Sequence, residues 1–211
     1  MYLKDNTIIQ FARVLASDAP APGGGAVAAL DGTLAAALLS MAGALTAGKE
    51  KYREFEADIR EIMNSAAKLQ ETLLAGIDED TEAFNKVSAV FSMPKVTDEE
   101  KAARSCAMQT ALKAAALTPL GTMKSAHDCL KLAERAYGKT NPSCISDLGS
   151  SVLCAMASVR SAWLNVKINL SGIKNVEFRE KIGGEARRFL AESEKLAEEL
   201  YGKIEKNIKA Y

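Results

Sequence analysis

The 211-residue sequence contains few of the side chains that metal sites and disulfide frameworks require. It has one histidine, His127, and four cysteines that form no CxxC pair. Zinc sites need several such ligands at short spacings, and a cysteine nucleophile needs a base beside it. We therefore expect no metal, no disulfide and no cysteine catalysis, in a protein of a reduced cytoplasm.

An excess of charge of either sign is also absent. Lys plus Arg and Asp plus Glu both number 27, and neither sign forms a long run. Binding to nucleic acid through phosphates needs a basic surface, so we expect small-molecule and protein partners and no nucleic acid. The N-terminal stretch MYLKDNTIIQFARVLASD has no continuous apolar core, which argues against a signal peptide.

Long apolar runs are nearly absent as well. The best candidate for a membrane span is 26–45, but this stretch is mostly alanine and contains Asp31, Thr33 and Ser40. Alanine contributes little transfer free energy, and a central aspartate costs a few kcal/mol in a bilayer. A buried helix in a helical bundle explains this stretch better, and we expect no membrane association.

The sequence lacks the alternating β-branched pattern of strands, whereas Ala, Leu, Glu, Lys and Met are abundant. We therefore predict an all-α fold: a single bundle-like domain over residues 1–211, with about six helices, some long or kinked. The predicted helices are 6–17, 26–48, 51–93 (either one helix or two joined near Gly76), 97–136 with a kink at Pro119, 146–170, and 175 to the C-terminus. Thr97 and Ser146 are predicted N-caps. The apolar face of the first helix is predicted to comprise Ile8, Ile9, Ala12 and Leu15.

The second predicted helix, AVAALDGTLAAALLSMAGAL, carries small or apolar residues around nearly its whole circumference. Such a helix has to be surrounded by other helices. A single protomer could enclose it, but a second protomer could equally complete the shell. We predict a homodimer.

Immediately before this helix, the stretch APAPGGG combines two prolines with Gly23, Gly24 and Gly25. Proline fixes the approach of the chain, and glycine permits close contact with the backbone. This stretch is therefore either a tight structural corner or a place where a ligand meets free amides at a helix N-terminus.

Three further clusters place polar groups where the helical pattern favours apolar ones. In IDEDTEAF, Asp78 shares one helix face with Glu82, and Asp80 shares another with Phe84. This cluster is either a solvated acidic turn or a carboxylate beside an aromatic ring, suited to proton transfer.

The second cluster, NPSCISD, contains Asn141, Ser143, Ser146 and Asp147. A structural role would explain the cluster if Ser146 caps the helix and the negative charge of Asp147 interacts favourably with the helix dipole. Asn141 and Ser143 add hydrogen-bond donors and acceptors, which would suit a binding site.

The third cluster, RSAWLNVKIN, places Asn165 and Asn169 four residues apart on one helix face, and it also contains Arg160 and Lys167. Asparagine is a poor helix former, so the pair needs hydrogen-bond partners on a neighbouring helix or on a ligand.

Taken together, these blocks resemble the formiminotetrahydrofolate cyclodeaminases and the methenyltetrahydrofolate cyclohydrolases. The resemblance rests on five blocks, in order: APAPGGGAVAALDGTLAAAL with AGKEKY, IDEDTEAF, MPKVTDEEKAAR, NPSCISDLG and RSAWLNVKINL. It implies an all-α homodimer that binds a tetrahydrofolate derivative in a cleft near the dimer interface. It also implies chemistry on the one-carbon unit between nitrogens 5 and 10. The sequence departs from the family pattern at Asp31, where a small uncharged residue is usual, and at Cys144, commonly alanine.

The resemblance, combined with the chemistry, suggests a role for each candidate. Asp80 and Asp147 would accept pterin N–H groups or shuttle protons, and Asn141, Asn165 and Asn169 would orient the ligand. Cations suit the benzoyl-glutamate carboxylates. The candidates for that role are Lys95, Arg160 and Lys167, and the remaining substrate-binding candidates are Gly23, Gly24, Gly25, Asp78, Phe84, Ser143 and Ser146. The expected activity is the cyclodeaminase; the alternatives are the cyclohydrolase and a folate-binding helical protein without turnover.

Overall fold

The computed structural model describes residues 2–208, and within them it contains six α-helices and no strand. The all-α prediction is confirmed. The helices are α1 (Ile8–Leu15), α2 (Gly24–Ala44), α3 (Glu56–Phe91), α4 (Asp98–Ala136), α5 (Ile145–Ser171) and α6 (Val176–Asn207). Short 3₁₀ turns precede α1, α3 and α5. The predicted extension of the last helix to the C-terminus includes residues 209–211, which lie outside the described residues.

Two of the helix starts follow directly from local side-chain chemistry. Thr97 and Glu100 form the predicted capping box, in which Thr97 Oγ1 accepts the Glu100 N–H at 3.2 Å and the Glu100 carboxylate accepts the Thr97 N–H. Asn175 Oδ1 accepts the Phe178 N–H at 2.7 Å and caps α6. These caps fix where the α3–α4 and α5–α6 connections end.

The predicted cap at Ser146 is wrong. α5 begins at Ile145, one residue earlier, and its N-cap residue is Cys144, whose side chain makes no capping hydrogen bond. The side chain of Asn141 instead accepts the Ser143 N–H and caps the 3₁₀ turn that leads into α5. The capping role is therefore taken one turn earlier in the chain.

α3 and α4 are each continuous where a break or kink was considered. α3 runs through Gly76 as one helix, and Gly76 faces Ala29 of α2, where an added Cβ would make an ordinary contact at 3.4 Å. α4 continues through Pro119.

α2 lies in the centre of the bundle, in contact with α3, α4 and α5. Two buried serines of α5 donate to α2 carbonyls: Ser158 Oγ to Ala28 O at 2.6 Å, and Ser151 Oγ to Ala35 O at 2.8 Å. Between them, Gly32 leaves no room for a side chain, since a Cβ there would lie 2.8 Å from the Leu73 side chain. The two helices are therefore antiparallel and closely packed.

α2 is also long and apolar enough to cross a membrane by length and composition, and 56% of the qualifying stretch is buried inside the bundle. Its outer face nevertheless keeps a row of apolar side chains, which we call the α2 stripe: Val27, Leu34, Leu38, Met41 and Leu45. The exposed fractions reach 47% at Leu34 and 45% at Leu45. Asp31 belongs to the same face by helical spacing.

The predicted apolar face of α1 does not pack inward. Ile8, Ile9 and Leu15 are 89%, 63% and 39% exposed, whereas Phe11 is buried in a small cluster with Ile77. α1 has only eight residues and is fastened to the bundle chiefly by this one ring. The face of α1 that packs against the bundle is therefore determined by the surfaces of α2 and α3 and not by the apolar pattern within α1.

Candidate active site

A cavity of about 330 Å³ lies between the start of α2, the C-terminal half of α3 and the last turns of α5. We call it the Asp80 pocket. It brings together seven of the predicted site residues: Gly23, Gly24, Gly25, Asp80, Phe84, Asn165 and Asn169. Sequence reasoning did not identify its other lining residues, Pro20, Ala21, Val87, Ala115 and Ile168. The glycine-rich corner, IDEDTEAF and the asparagine pair therefore form one site.

The glycine at position 25 is what lets Asp80 enter this site. A Cβ at Gly25 would lie only 1.9 Å from Asp80 Oδ1. The carboxylate instead accepts a hydrogen bond from the Ala26 N–H, in the first turn of α2. No side chain caps Gly23, and the first amides of a helix have no intrahelical acceptor. A carboxylate from α3 therefore complements the positive end of α2.

The surroundings of Asp80 perturb its acidity. Burial raises the pKa of the Asp80 carboxyl above its ordinary value, and the hydrogen bond from Ala26 N–H lowers it in part. Within residues 2–208, no lysine or arginine forms an ion pair with Asp80. A carboxyl whose pKa is raised toward neutrality is suited to accept a proton and return it.

The two asparagines are oriented by hydrogen bonds to the helices around them. Asn165 Nδ2 donates to Ser161 O at 2.9 Å, and Asn169 Nδ2 donates to Ala115 O on α4 at 2.8 Å and to Asn165 O. No donor in the described part of the chain reaches either Oδ1 atom. Each amide thus keeps an acceptor for a ligand N–H, so both readings of the pair, a helix partner and a ligand, are compatible with its geometry.

The NPSCISD cluster lies at the other end of the bundle. Asn141 N–H donates to Thr46 Oγ1 at 2.8 Å, just beyond the C-terminal end of α2. Asp147 and Asn165 are separated by about 27 Å along α5, at 1.5 Å per residue. A single protomer therefore does not bring Asp147, or Asn141, Ser143 and Ser146, to the pocket that holds Asp80.

Three other predicted residues lie outside the Asp80 pocket. Asp78 Oδ1 accepts the Leu3 N–H at 2.6 Å and holds the N-terminal segment against α3. Arg160 pairs with Glu194 of α6 at 3.1 Å. Lys167 Nζ lies 5.6 Å from the centre of the Trp163 ring. These contacts give each of the three a structural partner.

Lys95 lines a second cavity, of about 370 Å³, between the end of α3, the start of α4 and the end of α5. We call it the basic pocket, because Lys95, Lys101, Arg104 and Lys174 all line it. Sequence reasoning found only Lys95. The other cations come from α4 and from the connection between α5 and α6, and no local pattern relates them.

Among residues 2–208, no three His, Cys, Asp or Glu side chains come together as a potential metal site. The single histidine, His127, is buried, and its Nδ1 lies 2.9 Å from Ser193 Oγ. Neither residue lines the Asp80 pocket.

Comparison with known proteins gives consistent matches over nearly the whole chain. Residues 7–210 match the family model described as formiminotransferase-cyclodeaminase. The chain is 42% identical over 204 residues to the methenyltetrahydrofolate cyclohydrolase of Methylorubrum extorquens, covering 97% of this chain and 98% of that protein. It is 30% identical over 203 residues to the formimidoyltransferase-cyclodeaminase of Rattus norvegicus, covering 96% of this chain but 38% of the rat protein.

A solved structure agrees in fold. The crystal structure of formiminotetrahydrofolate cyclodeaminase from Thermotoga maritima matches with a TM-score of 0.82 and 27% sequence identity. The match covers 98% of this chain and 97% of the Thermotoga chain.

Proposed function

We propose that this chain, a member of the formiminotransferase-cyclodeaminase family, hydrolyses 5,10-methenyltetrahydrofolate to 10-formyltetrahydrofolate. The relatives show more broadly that it is a cyclodeaminase or cyclohydrolase of tetrahydrofolate derivatives. The observation that carries this choice is the 42% identity, end to end, with a cyclohydrolase of nearly the same length. The sequence alone had favoured the cyclodeaminase.

The reaction needs a group that moves protons at a carbon between two nitrogens. Water adds to the methenyl carbon, which becomes tetrahedral, and the bond from that carbon to nitrogen 5 then breaks. The oxygen of water becomes the formyl oxygen on nitrogen 10; one of its protons goes to nitrogen 5 and the other to solvent. A positioned acid–base group speeds such steps by about 10² to 10⁴.

Asp80 is the residue that we assign to this proton transfer. It is the carboxylate that lines the pocket, its pKa is raised by burial, and it is held by the Ala26 N–H. Asp80 would take the proton from the attacking water and deliver it to nitrogen 5. Asn165 and Asn169 would accept N–H groups of the pterin through their Oδ1 atoms and so fix its orientation.

The cyclodeaminase reaction is the second candidate, favoured by the similarity to the Thermotoga structure. In that reaction nitrogen 10 attacks the formimino carbon, and the bond from that carbon to the departing ammonia breaks. The same carboxyl would protonate the leaving nitrogen. The absorbance band of methenyltetrahydrofolate separates the two: accelerated decay supports the hydrolase, appearance from the formimino substrate supports the deaminase, and tight binding with neither change contradicts both.

The separation of Asp147 from the Asp80 pocket leads us to propose in addition a homodimer with shared sites. Leu34, Met41 and Leu45 of the α2 stripe are exposed, and the stripe runs between the two clusters. A two-fold axis crossing this stripe near Leu34 would pack α2 antiparallel to its copy. One protomer would then present its Asn141–Asp147 end beside the Asp80 pocket of the other.

Mixing two inactive variants tests this arrangement. Asp80→Asn and Asp147→Asn should each keep the fold and lose at least about tenfold in turnover, since each lacks a proton-transfer group. Mixed after reversible dissociation, they should regain about one quarter of wild-type activity, because half the dimers are mixed and each retains one intact site.

The matched control mixes Asp80→Asn with Asn165→Leu. Both substitutions lie in the same pocket, so every site in the mixed dimer stays defective and activity should not return. If the first mixture stays inactive as well, or if the wild type is a fully active monomer at micromolar concentration, the shared site is wrong.

A further inference from the structure

The corner after α2 has the sequence AGKEKY (residues 47–52), and none of its residues lines the Asp80 pocket. Gly48 has a φ of 75°, in the left-handed region that favours glycine, and its N–H donates to Glu56 Oε2 at 2.8 Å. The Tyr52 N–H donates to Lys49 O at 2.9 Å and closes the turn. These hydrogen bonds hold the corner in one shape, in which the Tyr52 hydroxyl meets Asn141.

Asn141 is held by three hydrogen bonds from two parts of the chain. Its Oδ1 accepts the Tyr52 hydroxyl at 3.4 Å and the Ser143 N–H at 3.2 Å, and its own N–H donates to Thr46 Oγ1 at 2.8 Å. A backbone N–H can only donate, so the amide oxygen and not the nitrogen must face Ser143. Thr46 is fully buried and its hydroxyl donates to Ala42 O at 2.7 Å, which fastens Asn141 to the end of α2.

This arrangement leaves the Asn141 side chain with unused donors. Among residues 2–208, Asn141 Nδ2 donates to no acceptor, and without the Tyr52 hydroxyl only the Ser143 N–H would orient the amide. The Asp80 pocket has the complementary character, because Asn165 and Asn169 keep free Oδ1 acceptors there. A tetrahydropterin presents N–H groups, which suit those acceptors, and one ring carbonyl oxygen, which needs a donor.

The proposed dimer brings these groups to one site. Thr46 and Pro22 each lie twelve residues from Leu34 along the chain. A two-fold axis near Leu34 therefore places Thr46 of one protomer at the level of the chain entering α2 in the other, where the glycine-rich corner lines the Asp80 pocket. Asn141, which is bound to Thr46, then lies at the level of the partner's Asp80 pocket.

We infer that Tyr52 is a positioning residue that fixes the Asn141 amide, so that Nδ2 donates to the pterin carbonyl oxygen in the site shared with the partner subunit. This inference rests on the proposed function and on the proposed dimer. Tyr52 does not touch the substrate and acts through Asn141. The pterin is bound by acceptors of one protomer and by a donor of the other.

Two substitutions separate positioning from a purely structural role. Tyr52→Phe keeps the ring and loses the hydroxyl, and kcat/KM should fall about tenfold, the effect of one hydrogen bond. Asn141→Asp keeps an oxygen for Tyr52 and Ser143 and remains a good cap, but it replaces both Nδ2 donors, and kcat/KM should also fall at least about tenfold. Adding Tyr52→Phe to Asn141→Asp should cause no further loss, because no donor is left to orient. A wild-type rate in Asn141→Asp would show that Asn141 is only a cap.

The chain offers a matched control. Tyr137 is also partly buried, and its hydroxyl donates to Lys203 O at 3.2 Å, in the contact between α4 and α6. Tyr137→Phe removes one tyrosine hydroxyl hydrogen bond without touching Asn141 and should keep the wild-type kcat/KM. An equal loss in both phenylalanine variants would contradict a specific role for Tyr52.

Binding of two unreactive ligands tests the acceptor of Nδ2 and separates this inference from the proposed reaction. Tetrahydrofolate carries the ring carbonyl at position 4, and its 4-amino analogue carries a donor there. In calorimetry, the wild type should bind tetrahydrofolate about tenfold more tightly than the analogue, the effect of one hydrogen bond, and Asn141→Asp should reverse this preference. That reversal without turnover of any folate would contradict the reaction and support the positioning. An unchanged kcat/KM in Tyr52→Phe, or the same ligand preference in Asn141→Asp as in the wild type, would overturn the inference.

Discussion

Gly25→Ala should disable the site without disturbing the bundle. The added Cβ would lie 1.9 Å from Asp80 Oδ1 and 2.7 Å from Oδ2. Nonbonded contacts of a Cβ below 3.0 Å are essentially never observed, so the nearer oxygen must move by at least about 1.1 Å, the difference between 3.0 and 1.9 Å. The substitution therefore displaces the proposed proton carrier while leaving its carboxyl chemistry intact.

The expected size of the effect follows from that displacement. A misplacement of about 1 Å in a catalytic constellation costs about 10² in rate. We therefore expect kcat to fall about a hundredfold. The free energy of unfolding should change by less than about 1 kcal/mol, because alanine gains about 0.5–1 kcal/mol over glycine within a helix and loss of the hydrogen bond from Ala26 N–H costs about as much.

Decay of the methenyltetrahydrofolate absorbance measures kcat, and urea unfolding measures stability. Gly184→Ala is the matched control: Gly184 lies within α6, and a Cβ there would have no atom within 4 Å. It should gain a little stability and keep its full rate. A Gly25→Ala variant that turns over at the wild-type rate would show that the position of Asp80 does not matter, and the assignment of Asp80 would fail.

Two other substitutions probe the electrostatics of the site and the α2 stripe. Burial raises the pKa of Asp80 above its ordinary 3.8, so the folded state holds this proton to higher pH than the unfolded chain, and stability falls as pH rises through that window. Asp80→Asn should therefore be more stable than the wild type at pH 7.5, with a difference in urea midpoint that shrinks toward pH 4; a constant difference would contradict this. Leu34→Glu should dissociate the proposed dimer in sedimentation experiments. Leu117→Glu on α4 is the control and should not, since Leu117 is 46% exposed and Leu34 is 47% exposed. Loss of the dimer in both variants, or in neither, would argue against the α2 stripe as the interface.

The sequence predicted best those features that depend on neighbours three or four residues away. The predicted cap at Thr97 is correct and needs only Glu100, three residues on, whereas the predicted cap at Ser146 is wrong because α5 begins one residue earlier, after the turn capped by Asn141. The burial of α1 could not be predicted in this way. Its isoleucines have the spacing of a packed face, but Phe11 is the residue that meets α2 and α3, and that choice depends on surfaces remote in sequence.

The same difference between local features and features remote in sequence applies to the candidate site. Asp80, Asn165 and the glycines were each identified because their residue types are unusual at those positions of the helical pattern, and the structure brings them together in one pocket. The separation of Asn165 from Asp147 followed from the predicted helix over 146–170, whereas the sequence did not indicate which end of that helix lies beside Asp80. Lys174 was missed because its position near Arg104 exists only after the end of α5 has packed against α4.

The two faces of α2 connect these results. On its inner side, Gly32 and the serine contacts hold α5 close and set the register at which Gly24 meets Asn165. On its outer side, leucines at helical spacing stay exposed, although burying each would contribute about 1.5–3 kcal/mol. The inner face of α2 has small residues and aligns one half of the site. The outer face is apolar and lies between that half and the Asp147 cluster. Both features are accounted for if a second copy completes the site. The same glycine-rich start of α2 then has two functions: it admits Asp80 of its own chain, and it leaves the first amides of the helix open toward whatever the partner subunit brings.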